Sequence, residues 1–221
     1  MKVFVAGANG KVGTILCDKA WAAQDFSPVA LIRDARQSMK FTALGVPAVV
    51  GDLEDGVGEF LPGMDAVVFT AGSGAHTGPD KTVDVDQNAA IRLIDDCVSA
   101  GVPRFLMVSA IGADPNSESD RIGHYLRAKG VADEHLRASG LDYVILAPGS
   151  LLDDPGTRRV RVAEDLGGRG TISREDVAAL ILECLRNPFT SGKTLQAVSG
   201  EYKVKRAVAE AAGGGGLPPI A

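Results

Sequence analysis

Three groups of residues in this chain have types and spacings that could do chemistry. The first is Gly7-Ala8-Asn9-Gly10-Lys11-Val12-Gly13, which follows an apolar, strand-like run and opens a helix-like one. Glycine permits a sharp turn, close approach of backbone to a pyrophosphate, and close helix–strand packing. The helix N-terminus behind it presents free N–H groups and the positive end of a dipole. The spacing is G-x-x-G-x-x-G, not the G-x-G-x-x-G of many dehydrogenases, and a bare strand-to-helix turn would need similar glycines. Its position after the first strand points instead to a nucleotide. The second group is Arg33, Asp34 and Arg36, at the end of the second strand-like run. A dinucleotide fold that prefers NAD usually places an acidic residue here for the ribose hydroxyls, whereas guanidinium groups grip a 2′-phosphate with paired hydrogen bonds. Asp34 could equally cap the next helix, and the leading arginine favours NADP over NAD. The third group is Tyr125-Leu126-Arg127-Ala128-Lys129, whose i, i+4 spacing puts phenol and ammonium on one helix face. A neighbouring ammonium stabilises phenolate and draws the tyrosine pKa down toward a range useful for proton transfer. Ser109, ending a strand-like run, is positioned to hydrogen-bond a substrate carbonyl. The bland alternative is that Tyr-x-x-x-Lys arises by chance and the tyrosine simply packs.

Such residues need a scaffold that brings them to one edge. Short apolar runs at Lys2–Ala6, Val29–Arg33, Ala48–Gly51, Ala66–Thr70, Arg104–Ser109 and Tyr143–Ala147 are nearly continuous in Val, Ile, Leu and Phe. That is how strands buried on both faces read. Helix-length segments lie between them; Ala90, Ile91, Ile94, Cys97 and Val98 form an apolar stripe ended by Gly101 and Pro103. The alternation predicts a doubly wound α/β fold, a parallel sheet covered by helices on both faces. After Gly149 the pattern changes. Leu151–Gly170 is polar and reads as an irregular segment or short strand pair. Ser173–Leu185 reads as a helix with Ser173 as N-cap, followed by a strand around Thr194–Val198 and a helix around Val204–Ala212. One domain over 1–212 is expected, with small cap elements from about 150 to 200 and a flexible Gly/Pro-rich tail over 213–221.

Composition narrows the function. With 45% hydrophobic residues and a net charge of -5, the chain has the makings of a folded core rather than of disorder. The acidic balance and the lack of a basic block argue against nucleic acid. No apolar run approaches the roughly 18 residues of a membrane span, and the N-terminus runs from a strand into glycines, so no cleavable leader is expected. Cys17, Cys97 and Cys184 are odd in number and widely spaced, which suits reduced cytoplasmic thiols buried as small apolar side chains. His76, His124 and His135 do not cluster with other ligands, so no metal is expected.

Taken as a set, these residues resemble the atypical short-chain dehydrogenase/reductases of the NAD(P)H-binding, NmrA-like and biliverdin-reductase-B-like kind, which have a Rossmann fold. The likeness spans about residues 1–200. Besides the glycine loop it includes Gly51-Asp52-Leu53, Thr70-Ala71-Gly72, Val108-Ser109, Leu146-Ala147-Pro148-Gly149 and Ile172-Ser173-Arg174-Glu175-Asp176-Val177-Ala178. The resemblance implies that Asp52 and Leu53 lie beside the adenine and that Ala71 and Gly72 pass the ribose and phosphates. Lys129 would hold the nicotinamide ribose, and Pro148, Gly149 and Ser150 would line the nicotinamide. Tyr125 and Ser109 match the catalytic pair where that pair exists. Only 72 residues follow Gly149, too few for a large nucleotide-sugar domain, which favours a small or flat substrate. The loops Ser73–Lys81 and Ala113–Ser119 are expected as mobile walls. The expected activity is an NADP-dependent oxidoreductase acting on a small carbonyl, quinone or flavin-like molecule, as a monomer or homodimer. The alternatives are a non-catalytic NADP(H) sensor and an NAD-dependent epimerase or dehydratase.

Overall fold

The structure, a computed structural model, describes residues 1–73 and 78–213. His76 and the tail beyond Gly213 lie outside the described residues. From the N-terminus come β1 (Lys2–Ala6), α1 (Lys11–Ala23), β2 (Ser27–Ile32), α2 (Ser38–Leu44), β3 (Ala48–Val50) and β4 (Ala66–Phe69). A short α3 (Pro79–Thr82) runs through a π-helical stretch, Val83–Ala89, into α4 (Ala90–Ala100). β5 (Arg104–Val108), α5 (Gly123–Ala138), β6 (Asp142–Pro148), β7 (Ser150–Leu152), β8 (Arg159–Ala163) and β9 (Thr171–Ser173) follow. The chain continues with α6 (Arg174–Arg186), β10 (Lys193–Ser199), β11 (Tyr202–Lys203) and α7 (Val204–Ala212).

The nine-stranded sheet has the order β11-β8-β10-β6-β5-β4-β1-β2-β3. It is parallel from β3 through β10 and turns antiparallel at β8 and again at β11. Successive side chains of β1 alternate between two cores. Val3 and Val5 pack with α1, α6 and α7, while Phe4 and Ala6 pack with α4 and α5. Burial on both faces is why the strands read as unbroken apolar runs. Strand order reverses between β1 and β4, and the crevice at such a switch point, beyond the carboxyl ends of the strands, is where doubly wound folds hold ligands.

The expected parallel sheet needs one correction at its edge. The polar 151–170 segment is not a separate pair: β7 pairs with β9, whereas β8 extends the main sheet antiparallel to β10. Val160 and Val162 face the core and alternate with Arg159 and Arg161, a half-buried strand pattern too short to stand out among its charged neighbours. The helix expected from Ser173 begins as read: the Ser173 side chain accepts from the Asp176 N–H at 3.0 Å.

Candidate active site

The glycine loop closes over the switch point because only glycines fit there. Gly7 has φ +86°, and a Cβ on it would lie 2.4 Å from the Ala71 nitrogen. A Cβ on Gly13 would lie 2.3 Å from the Gly7 carbonyl oxygen. The Gly10 N–H donates to the Gly7 oxygen at 2.9 Å, and Thr70 Oγ1 donates to the Ala6 and Gly7 oxygens, tying the end of β4 to the loop. Helix α1 starts at Lys11 with no side-chain cap and no acidic residue in its first turn, so its N–H groups face no competing anion within the helix. Beside this loop is a cleft of about 390 Å³ lined by Gly7, Asn9, Gly10, Arg33, Asp52, Leu53, Ala71 and Gly72, all singled out by sequence. Leu31, Ile32, Gln37, Glu54, Thr70, Ser73, Lys81 and Val85 complete it, and a Lys81–Glu54 ion pair at 2.5 Å joins two of its walls.

Several expected binders stand elsewhere. Arg36 is outside the cleft, its guanidinium forked onto Asp34, whose carboxylate also caps the Arg36 N–H at 2.8 Å. Asp34 therefore does serve as a cap, and Arg36 holds its carboxyl below the usual range. Lys11 reaches the other way, to Asp153 at 2.5 Å, and Arg174 grips the same carboxylate at 2.7 Å. Val12 packs at the core margin, and Gly13 backs the loop. Lys40, which no motif singles out, crosses from α2 to the Asn9 Oδ1 at 3.1 Å. Pro148, Gly149 and Ser150 bend β6 into β7, where a Cβ on Gly149 would strike the Gly170 carbonyl oxygen at 2.3 Å.

Behind the cleft lies a buried polar cluster. Residues 125, 129 and 133 of α5 recur every four positions and share one face. Lys129 is 3% exposed; its Nζ sits 3.1 Å from Asp86 Oδ1, donates to the Val108 carbonyl at 3.2 Å, and lies 6.0 Å from the Tyr125 ring centre. Asp86 is fully buried in the π-helical stretch and accepts from the Ser73 N–H at 3.0 Å, so the cleft wall and the lysine share one carboxylate. Burial works against the Lys129 charge, but Tyr125 and Asp86 outweigh it and hold the ammonium above its ordinary range. Tyr125 departs from the expectation of a lowered pKa. Burial pushes its phenol up, and Lys129, whose charge is largely offset by Asp86, opposes that only in part.

Ser109 also needs a correction. It is buried, and its Oγ donates to Asp133 Oδ2 at 2.6 Å rather than standing free for a carbonyl. A carboxylate inside a core takes whatever donor is in reach. Burial pushes Asp133 up to about 6, against the pull of Ser109, Lys129 and Arg137. The Ala113–Ser119 loop is packed on α5 instead of hanging over the cleft: the Asp114 N–H donates to the Leu126 oxygen, Arg127 donates to the Ser117 oxygen at 2.7 Å, and a Cβ on Gly130 would lie 2.4 Å from the Asp114 carbonyl carbon. Asp133 was legible as the next i+4 position after Lys129. Asp86 was not, because in Val83-Asp84-Val85-Asp86 it reads like one more solvated acid.

Comparison with known proteins gives the family of the chain. Residues 7–188 match the NAD(P)H-binding family. The chain belongs to that family. A Bacillus subtilis relative described as an uncharacterized sugar epimerase is 39% identical over 212 residues, 94% of this chain and 99% of its own. The solved structure of a Bacillus halodurans protein, provisionally named an NAD-dependent epimerase/dehydratase, superimposes with a TM-score of 0.90 at 38% identity, covering 95% of this chain and 99% of that one. An anaerobillin reductase from Escherichia coli O157:H7 superimposes with a TM-score of 0.78 at 30% identity, covering 92% and 99%. As a member of the NAD(P)H-binding family, the chain has a nicotinamide dinucleotide as its cofactor class, and the Cβ-free cradle at Gly7, Gly10 and Gly13 fits a pyrophosphate.

Proposed function

We propose that the protein is an NADP-dependent reductase of a small, flat acceptor, a quinone, flavin-like ring or small carbonyl, with Tyr125 as its proton donor. The observation that carries this reading is the row formed by half-buried Tyr125 and buried Lys129, joined to the glycine cleft through Asp86 and Ser73. Gly7, Asn9 and Gly10 would hold the pyrophosphate, Asp52 and Leu53 the adenine, Ala71 and Gly72 the adjoining ribose, and Pro148 to Ser150 the nicotinamide wall. Arg33 lines the cleft where a 2′-phosphate would sit, while the acidic residue that NAD would require, Asp34, is neutralised by Arg36. When bound, the reduced cofactor supplies the hydride.

The residues of the chain would do the rest. Tyr125, held protonated by burial, suits donation to an acceptor better than abstraction from an alcohol, so the favoured direction is reduction. A lysine has three N–H donors, and Lys129 gives two to Asp86 and Val108, which leaves one for the tyrosine oxygen or a ribose hydroxyl. Its ammonium would stabilise the phenolate left after proton transfer. Ser109 acts from behind, through Asp133. Tyr125→Phe is expected to lower turnover of NADPH with a quinone by about 100-fold or more while NADPH affinity by calorimetry changes little; unchanged turnover refutes the donor role. Arg33→Ala is expected to weaken NADPH about 10-fold and leave NADH unaffected.

The occupancy of Lys129 by Asp86 and of Ser109 by Asp133 favours one second reading, a redox sensor that binds the cofactor without turnover. Tight NADPH binding with no oxidation across quinone, flavin and carbonyl acceptors would select it.

A further inference from the structure

We propose that Asp133 is a positioning residue of this site, a carboxyl that gains and loses its proton inside the fold and so sets the field that Lys129 exerts on Tyr125. The inference rests on the roles of Tyr125 and Lys129 given above and concerns a group that those roles leave unused. Asp133 is 2% exposed, and only one of its oxygens is occupied: Oδ2 by Ser109, while Oδ1 is buried without a hydrogen-bond partner among the described residues. A carboxylate meant to stay ionised in a core recruits donors at both oxygens, as Asp176 does from the Thr157 and Arg158 N–H groups. A residue needed only to fill space would be served by an apolar side chain at less cost. Half-satisfied, Asp133 is built to take a proton.

Its surroundings give that proton a consequence. The charged and titratable groups about it are Tyr125, Lys129 and Arg137 on its own helix, with Ser109 contributed by the end of β5. Asp86 in the π-helical stretch pairs with the same lysine at 3.1 Å. One buried ammonium thus acts on two carboxyls, Asp86 in direct contact and Asp133 one turn along α5. With Asp133 ionised, the buried trio of Lys129, Asp86 and Asp133 carries a net negative charge, Arg137 being exposed, and the pull of Lys129 on the phenol is diverted. With Asp133 protonated, Lys129 balances Asp86 alone and Tyr125 ionises more readily. Asp133, pushed up to about 6, is the member that changes charge near neutrality, since Lys129 and Tyr125 are both held above their ordinary values. Asp133 and Tyr125 lie eight residues apart, about 12 Å along the helix, so the charge of one moves the other by about one pH unit at an effective dielectric near 20.

The test is NMR of the whole protein labelled at the aspartate carboxyl carbon, the lysine side-chain nitrogen and the tyrosine ring, titrated from about pH 5 to about pH 8 and then upward. One aspartate is expected to titrate in the lower window and to vanish from it in Asp133→Asn. The Lys129 signal is expected to follow the same midpoint in the wild type and to be flat in the variant, where Tyr125 ionises about one pH unit lower. Ser109→Ala, which removes the donor and keeps the carboxyl, is expected to move the Asp133 midpoint upward, and decides the matter alone if Asp133→Asn does not fold. An Asp133 that does not titrate, or a Lys129 signal indifferent to it, overturns the proposal. No substrate or cofactor is present, so that failure leaves the reductase reading standing; normal turnover by Tyr125→Phe would do the reverse.

Discussion

At Gly13 a Cβ would meet the Gly7 oxygen at 2.3 Å and the Ala8 Cα at 2.7 Å, both backbone atoms that cannot step aside. Gly13→Ala is therefore expected to lower Tm and to weaken NADPH binding about 10-fold or more. Gly63→Ala makes the useful contrast: φ is +78° but nothing lies within 4 Å, so only about 1 kcal/mol of backbone strain is expected, with binding untouched. Asp133 yields a stability prediction with a definite sign. Its folded value of about 6 lies above the ordinary 3.8, so between the two the folded chain binds a proton that the unfolded chain has released. Stability from this group is present at low pH and lost as pH rises through about 6, by on the order of 3 kcal/mol in all. Urea unfolding of wild type and Asp133→Asn should give a difference that moves in favour of the variant between about pH 4 and pH 7; a pH-independent difference would refute it. What was legible in single residues was what spacing encodes: the glycines, and the face shared by Tyr125 and Lys129. Asp86 and Lys40 act through contacts 43 and 31 residues away along the chain, to Lys129 and Asn9, and no local pattern announces those.

Elements, too, are held by a few specific groups. Arg104 opens β5 with its guanidinium buried: one arm pairs with Asp142 of β6 at 2.5 Å, and the other donates to the Cys184 and Asn187 carbonyls and to Thr190 Oγ1. It closes the C-terminal end of α6, where carbonyls have no helical partner, onto the base of the sheet. Arg104→Ala strips Asp142 of its partner and the two carbonyls of one donor, although Thr190 Oγ1 still donates to both, and is expected to cost about 2–3 kcal/mol in urea unfolding. Arg104→Lys should recover only part of that, because a single ammonium cannot span both sides. Most elements were readable because both-faced burial leaves unbroken apolar runs, and α7 fell at Val204–Ala212 as its pattern implied. The π-helical stretch was not readable. In sequence the same residues would pass for plain α-helix.

Across the whole molecule, the β–α alternation was enough to give the layered fold and the crevice at its switch point, while the two antiparallel strands at the far edge had to be seen. Cofactor binding to that crevice should stabilise the fold as a unit: NADPH at 100 times its Kd contributes about 2.7 kcal/mol, a rise in Tm of roughly 5–10 °C for a chain of this size. All three cysteines are buried and their thiols pushed up to about 12 by burial. Alkylation should therefore be negligible in the native protein and complete only on unfolding. The sheet itself ends at both rims in very short strands, β3 with three residues and β11 with two. An open sheet grows by adding strands at its rims, and stubs of this length offer an incoming chain too few amides to grip. Self-association by sheet continuation is thereby blocked at both ends. Copies that do meet are expected to do so away from these two rims, and a concentrated solution should stay clear of fibrils.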